Sequence, residues 1–472
     1  MRRTELAYVG FNLAEYGVWV SVLIYAFQRG GTTTAALVAV AQLLPAAALA
    51  PTLAGAIDRI GARAALRRGY RCQSATLGAT ALALASGAPD PVVYAAAILA
   101  ATAVTTTRPA QAALVPLLCA GPDELTAVNV LSGWVESVSL LAGPALAGGL
   151  FALDGPGAAV AAFALCTAAA AWLIGGVAAR PEPGDPQDAG GRDAPAVAVI
   201  MSDESGVFRA PAMVRRSGVT APVMLLGVQC LVIGMLDVAL VILAIRVLAL
   251  GAPGAGYLTA AFGGGGILGS LAAIGLIGRD RLAGALTAAG VIWGVLLTLL
   301  GAWPTAAGAV VILIAAGSMR VLLDVSGRTL LLRAVPVTAR APIFGLLEGV
   351  AMLNLAIGSL LVAALDALGG VALSLIVAGA ALSCTAALAA GRLRRVEDGG
   401  SSPTDSVRSE PGGLPDLLAG PLLGPFQRHE RVAGGGAVGR ADLEQLVDGQ
   451  PLAAHERDQL PVGEVELHRV VI

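Results

Sequence analysis

The chain has 472 residues, 56% of them hydrophobic and only 13% charged, where an ordinary soluble domain carries about 25% charged residues. That composition excludes a water-soluble fold. The 30 basic residues are all arginines and the formal charge is −2; dispersed among apolar runs, they form no basic patch, so no nucleic-acid partner is predicted.

Up to about residue 396 the sequence is a succession of apolar runs, each near the roughly 20 residues that a helix needs to cross a hydrocarbon core of about 30 Å. In chain order the predicted spans are 6–28, 33–55, 72–88, 92–118, 126–152, 157–178, 221–248, 254–277, 283–301, 305–327, 342–365 and 370–391. The runs lack the alternation that strands of a membrane barrel require. The body therefore reads as an all-α integral membrane protein with about twelve transmembrane helices. Met1-Arg2-Arg3 heads a first run that is too long for a secretory leader and has no convincing cleavage site, so it reads as a retained span.

Cytoplasmic loops hold an excess of positive charge, and here the arginines cluster at every second connection. Arg2 and Arg3 precede the first span, and Arg59, Arg63, Arg67, Arg68 and Arg71 follow the second. Further groups lie at 180–216, 279–281, 328–340 and 392–395, while the alternate connections are free of arginine except for Arg29. The pattern predicts a multi-pass protein of the cell (plasma) membrane with both termini cytoplasmic.

A Pro-, Gly-, Asp- and Arg-rich stretch divides the body. The predicted organisation is an N-terminal six-helix bundle (1–179), a cytoplasmic linker (180–220), a C-terminal six-helix bundle (221–396) and a polar, disordered tail (397–472). Arg108 precedes Pro116, and Arg328 precedes Pro336, by the same eight residues in the fourth span of each half. Glu15 and Asp237 sit at matching depths in the first span of each half. These echoes indicate a duplicated six-span unit, the parallel repeat that transporters use to alternate access around a midplane site.

An ionised side chain at a helix centre costs about 2.5–3.5 kcal/mol on insertion scales, so each one needs a partner, water or a purpose. Glu15 and Asp237 are candidates for a substrate and proton pathway, or for structural acids at a helix interface. Asp324 has Arg320 four residues before it and Arg328 four residues after it, a charge ladder on one face of the tenth helix. Arg320 with Asp324 is either part of the same pathway or a neutralised structural pair. Arg108, Arg328, Arg333 and Arg340 lie near cytoplasmic ends, where gating or snorkelling contacts are favoured over substrate contact; Glu136 and Glu348 are placed to pair with them. All three histidines fall after residue 428, so a proton relay in the body has to run on carboxylates.

The sequence has no Gly-Lys-Ser/Thr phosphate loop, no histidine in the body for a triad or metal centre, and five widely spaced cysteines. No enzyme activity, cofactor or metal is predicted. The run Gly263 to Gly266 lies inside an apolar span, where small residues serve helix packing.

The stretch Gly55-Ala56-Ile57-Asp58-Arg59-Ile60-Gly61-Ala62-Arg63 resembles the cytoplasmic loop signature of the major facilitator superfamily. The resemblance implies a gating latch formed by Asp58, Arg59 and Arg63, with Gly61 in a tight turn. The first glycine is one residue nearer Asp58 than usual, and Ala62 replaces a commonly basic position. Arg108-Pro109-Ala110 through Pro116, Asp123-Glu124-Leu125, and Arg328 to Phe344-Gly345 are similar to the branch containing macrolide and siderophore exporters. Gly143-Pro144, followed by Gly148-Gly149, resembles the superfamily's antiporter signature, in which a kinked helix packs against the second half; a generic packing kink is the alternative. The resemblance implies proton-coupled efflux of a small amphipathic substrate by a functional monomer in the lipid bilayer. Two alternatives stay open: import of a small nutrient, and a non-transporting membrane sensor or scaffold that uses its tail.

Overall fold

The computed structural model describes residues 2–119, 122–176, 211, 214–215, 218–275, 282–335 and 337–400. The linker between 180 and 220 lies mostly outside the described residues, and the tail from 401 lies wholly outside them. Among the described residues there are helices and no strand: α1 (Arg2–Ile60), α2 (Ala62–Ala85), α3 (Asp90–Leu118), α4 (Pro122–Gly175), α5 (Thr220–Ile242), α6 (Gly251–Ile274), α7 (Leu282–Ala302), α8 (Ala306–Ala334) and α9 (Val337–Gly400). A π turn, Leu243–Val247, continues α5.

Glycines break three of these helices: Gly30 and Gly31 in α1, Gly155 in α4, and Gly369 and Gly370 in α9. Gly31, Gly155 and Gly370 have φ of 68°, 78° and 74°, the left-handed region that glycine enters without the penalty of a side chain. The nine helices thus comprise twelve helical stretches among the described residues. Seven stretches are long and apolar enough to cross a membrane by length and composition; Arg3–Pro45, Leu131–Gly175 and Ile343–Glu397 run to 43, 45 and 55 residues. At about 20 residues per pass, each of those three suffices for two.

Helix boundaries differ from the apolar runs where charge hides a helical turn. The third stretch begins at Ala62, not at 72, because Ala62, Ala65, Leu66 and Tyr70 are buried while Arg68 and Arg71 of the same turns are exposed. Similarly, α9 runs past 391 to Gly400. Leu393 in this extension is fully buried, and Glu397 Oε1 accepts from the backbone N–H groups of Leu282 and Ala283, the latter at 3.0 Å. A carboxylate at a helix N-terminus satisfies donors that have no partner within the helix.

Helices α1 to α4 pack on one another, as do α5 to α9, and the two groups meet where α4 crosses α6 and where α1 meets α5 and α9. The apolar core is continuous through both groups: Leu23, Ile24, Phe163, Leu225, Leu240 and Trp293 are each at most 2% exposed. Glycines set the α4–α6 crossing. A Cβ on Gly148 would lie 2.7 Å from the Pro253 carbonyl oxygen, and Cβ atoms on Gly256 and Gly263 would collide with the carbonyls of Pro144 and Leu140. Gly143 packs elsewhere, on α1, where a Cβ would lie 2.9 Å from the Leu13 carbonyl oxygen. Gly265 and Gly269 lie against Ile314 and Ser318 of α8, so the four-glycine run serves backbone approach on two sides.

Candidate functional site

The bundle has two ends. One, called here the terminus face, carries Arg3, Ala62, Gly175, Leu282 and Glu397; the other, the far face, carries the turns at Gly31, Asp90, Gly155, Leu250, Pro304 and Gly370. Polar side chains converge between them.

In the first half α1 supplies Glu15 and Tyr16, α3 supplies Arg108 and α4 supplies Glu136. Arg108 Nη2 lies 2.8 Å from Glu15 Oε2 and Nη1 lies 3.4 Å from Glu136 Oε1, while the Tyr16 hydroxyl donates to the same Glu136 oxygen at 3.0 Å. The guanidinium also sits 5.9 Å from the centre of the Phe11 ring, a cation–π distance. In the second half Arg328 Nε lies 3.1 Å from Asp324 Oδ2 on the same helix, and Nη1 lies 2.9 Å from Glu348 Oε1 of α9. Gln229 Nε2 of α5 donates to Asp324 Oδ1 at 3.3 Å. Each half therefore builds a triad of one guanidinium and two carboxylates, with a neutral donor on one acid.

The side chains of Arg108 and Arg328 keep 40% and 39% of their surface open. Each triad carries one carboxylate more than its arginine neutralises.

A third group bridges the halves. Asp237 on α5 faces the Trp19 indole N–H of α1, and Arg320 on α8 lies within electrostatic reach of both Asp237 and Tyr16. The Arg320 guanidinium sits over the Phe262 ring, 5.8 Å from its centre, and among the described residues Asp324 pairs with Arg328, so the ladder closes on one side only. Glu15 and Asp237, at matching depths in sequence, thus have different partners.

At the terminus face Gly61 turns α1 into α2 with φ of 78°. Arg63 Nη2 and Arg3 Nη1 donate to the Gly175 and Gly176 carbonyls at 3.2 and 2.7 Å, cationic caps on the C-terminal end of α4. Arg333 is exposed in the last turn of α8. The side chains of Asp58, Arg59 and Arg340 lie outside the described residues.

The far face holds a cluster that the sequence reading missed. Arg246, on the π turn after α5, places Nη1 2.8 Å from Asp366 Oδ2, and Thr32 Oγ1 of the first half donates to the same oxygen at 2.5 Å. Arg246 also lies over Phe27 of α1, 5.0 Å from the ring centre. The next residues are strained: Ala249 has φ of 52°, a region that side chains avoid. Arg246 and Asp366 of the second half thus clasp the turn between Phe27 and Thr32 of the first. Arg29, the exception in the arginine pattern, has a local partner in Asp90 at 3.6 Å. Arg246 is a second exception, hidden at the end of an apolar run.

No family model matches the sequence, and no curated protein sequence matches it significantly. Solved structures do share its architecture. A POT family transporter in complex with thioalcohol conjugated peptide superposes with a TM-score of 0.65 at 13% identity, covering 84% of this chain and 96% of that one. The nucleoside transporter NupG gives 0.62 at 14% identity, over 84% and 98% of the two chains. A POT family transporter in complex with 5-aminolevulinic acid gives 0.65 at 13%, over 84% and 96%. The chain has the major facilitator fold. At these identities the likeness extends to the all-α, multi-pass architecture and not to a substrate.

Proposed function

We propose that this chain is a secondary active transporter that exports small amphipathic molecules in exchange for protons by alternating access. The observation that carries the reading is the pair of triads, one in each helical group and each with one carboxylate in excess. Protonation of the surplus acid changes the charge that the guanidinium must balance, which links proton binding to the packing of the helices that supply the triad. Asp237, between Trp19 of one half and Arg320 of the other, is the acid best placed to couple the halves. Export is favoured by the resemblance of Gly143-Pro144 and Gly148-Gly149 to an antiporter helix, and by the contact of that helix with α6. The arginine pattern favours a cytoplasmic position for the terminus face. The protein acts as a monomer, with both halves of the pathway in one chain.

Import of a polar nutrient is the second reading, and the peptide and nucleoside transporters among its structural likenesses favour it. Purified protein in liposomes under an imposed pH gradient tests both. Candidate amphipaths, peptides and nucleosides should show one class moving against the direction of the proton gradient, with Asp237→Asn still folded but indifferent to it. Movement with the gradient establishes import; movement of every substrate regardless of the gradient contradicts proton coupling.

A further inference from the structure

The first half buries a carboxylate that neither triad uses. Glu5 of α1 is 8% exposed, and neither of its oxygens has a hydrogen-bond partner among the described residues. It stands in the first turn of α1 yet takes no backbone N–H there, so it does not act as a helix cap. The guanidinium groups of Arg3 and Arg63 at the same face are turned to the carbonyls of Gly176 and Gly175. The groups that act on Glu5 are the chain's amino terminus, Ser132 of α4, which approaches without closing a hydrogen bond, and Tyr70 of α2. Tyr70 is itself fully buried and donates to Gln111 Oε1 of α3 at 3.1 Å. An ionised carboxylate buried without a partner is so costly that the group takes up a proton instead.

Glu5 also heads a polar line toward the first triad. Glu5, Tyr8, Asn12 and Glu15 follow the three- and four-residue spacing of one helix face, and at about 1.5 Å per residue the line is about 15 Å long. Tyr8 lies within electrostatic reach of Tyr70 on one side and of Arg108, Glu136 and Glu15 on the other. Asn12 is fully buried, and its Oδ1 has no partner among the described residues. We propose that Glu5 is a proton-binding site at the terminus face, through which the first triad exchanges protons with the solution on that side. The bound proton sits on a carboxyl oxygen. When α2 and α4 part from α1, water reaches the acid, takes the proton as hydronium and leaves the carboxylate, which the next proton from the triad restores to the acid. The exchange role rests on the proton-coupled reading above; the bound proton does not.

Infrared spectra of the full chain in nanodiscs test the site with the proton itself as the probe. At neutral pH the wild type should show a protonated-carboxyl band that Glu5→Gln lacks, and the band should shift in D2O and give way to carboxylate absorption as the pH is raised. In the liposome assay above, for whichever class of molecule moves, Glu5→Gln should slow gradient-driven flux about a hundredfold, the lower end for a lost proton-transfer group. Identical spectra mean that Glu5 is ionised beside the amino terminus and overturn the proposal. So does a band indifferent to both D2O and pH, or a band accompanied by undiminished flux in the variant. Should Glu5→Gln not fold, Glu5→Asp should move the band, and an unmoved band is equally fatal. The band in a wild type indifferent to the gradient upholds the site and removes the transport reading on which its exchange role rests.

Discussion

The two triads hold the same charges and are tied to the fold in different ways. In the first, Glu15, Arg108 and Glu136 come from three separate helices, and Tyr16 adds a second tie from α1 to α4. In the second, Asp324 and Arg328 are one turn apart on α8, so two of the three triad members come with one helix, and only Glu348 and the donor Gln229 are brought from elsewhere. The first triad is a cross-brace among helices; the second is a local pair to which two neighbours attach. The first half thus depends on its guanidinium to join three helices, and the second depends on it less.

The comparison ranks the variants. Arg108→Ala leaves two carboxylates on separate helices with no cation between them. It should lower stability by about 3 kcal/mol, the low end for breaking a buried pair because the side chain is partly open, and reduce transport more than a hundredfold; thermal unfolding in detergent and liposome flux read the two effects. Arg328→Ala should cost less, about 1–2 kcal/mol by the same reasoning, since Gln229 still donates to Asp324 and Glu348 is 53% open. Equal losses for the two arginines would break the contrast. Glu136→Gln sharpens it: the Tyr16 bond survives on an amide oxygen, the surplus charge is gone, and the chain should fold normally while flux loses part of its dependence on the pH gradient. The smallest effect belongs to the far face. Asp366→Asn removes a pair whose arginine is 50% open, worth up to about 1 kcal/mol, and should shift the balance of open and closed forms by less than tenfold, as read by distances between spin labels across that face.

The sequence carried the spans, because about 20 apolar residues have few other uses, and it carried Arg108, Glu136, Arg328 and Glu348 as charges in want of partners. It could not carry which partner each would meet. Asp324 lies within one helical turn of two arginines, and only the rotation of α8 against α6 decides that Arg320 turns to Phe262 and leaves Arg328 to make the pair. Tyr16 and Gln229 are silent in the sequence, because an uncharged donor in an apolar run gives no signal until its acceptor is known. The far-face clasp was invisible for a related reason: Arg246 and Asp366 each sit at the end of an apolar run, where single charges are common, and they are 120 residues apart. Glycine was more legible, since the doublets Gly30-Gly31 and Gly369-Gly370 mark turns of the same geometry in α1 and α9.

Both the proton-coupled reading and the ranking of variants depend on the triads facing water within the membrane. Hydroxyl-radical footprinting of the full chain in nanodiscs measures this directly. Tyr16, in the first triad, and Trp19, which faces Asp237, should be oxidised readily even though they lie midway along the first stretch of α1, whereas Trp172, 78% exposed on the outside of α4, should be protected by lipid. Protection of Tyr16 and Trp19 to the same degree as Trp172 would mean a dry interface between the halves, and would contradict the account.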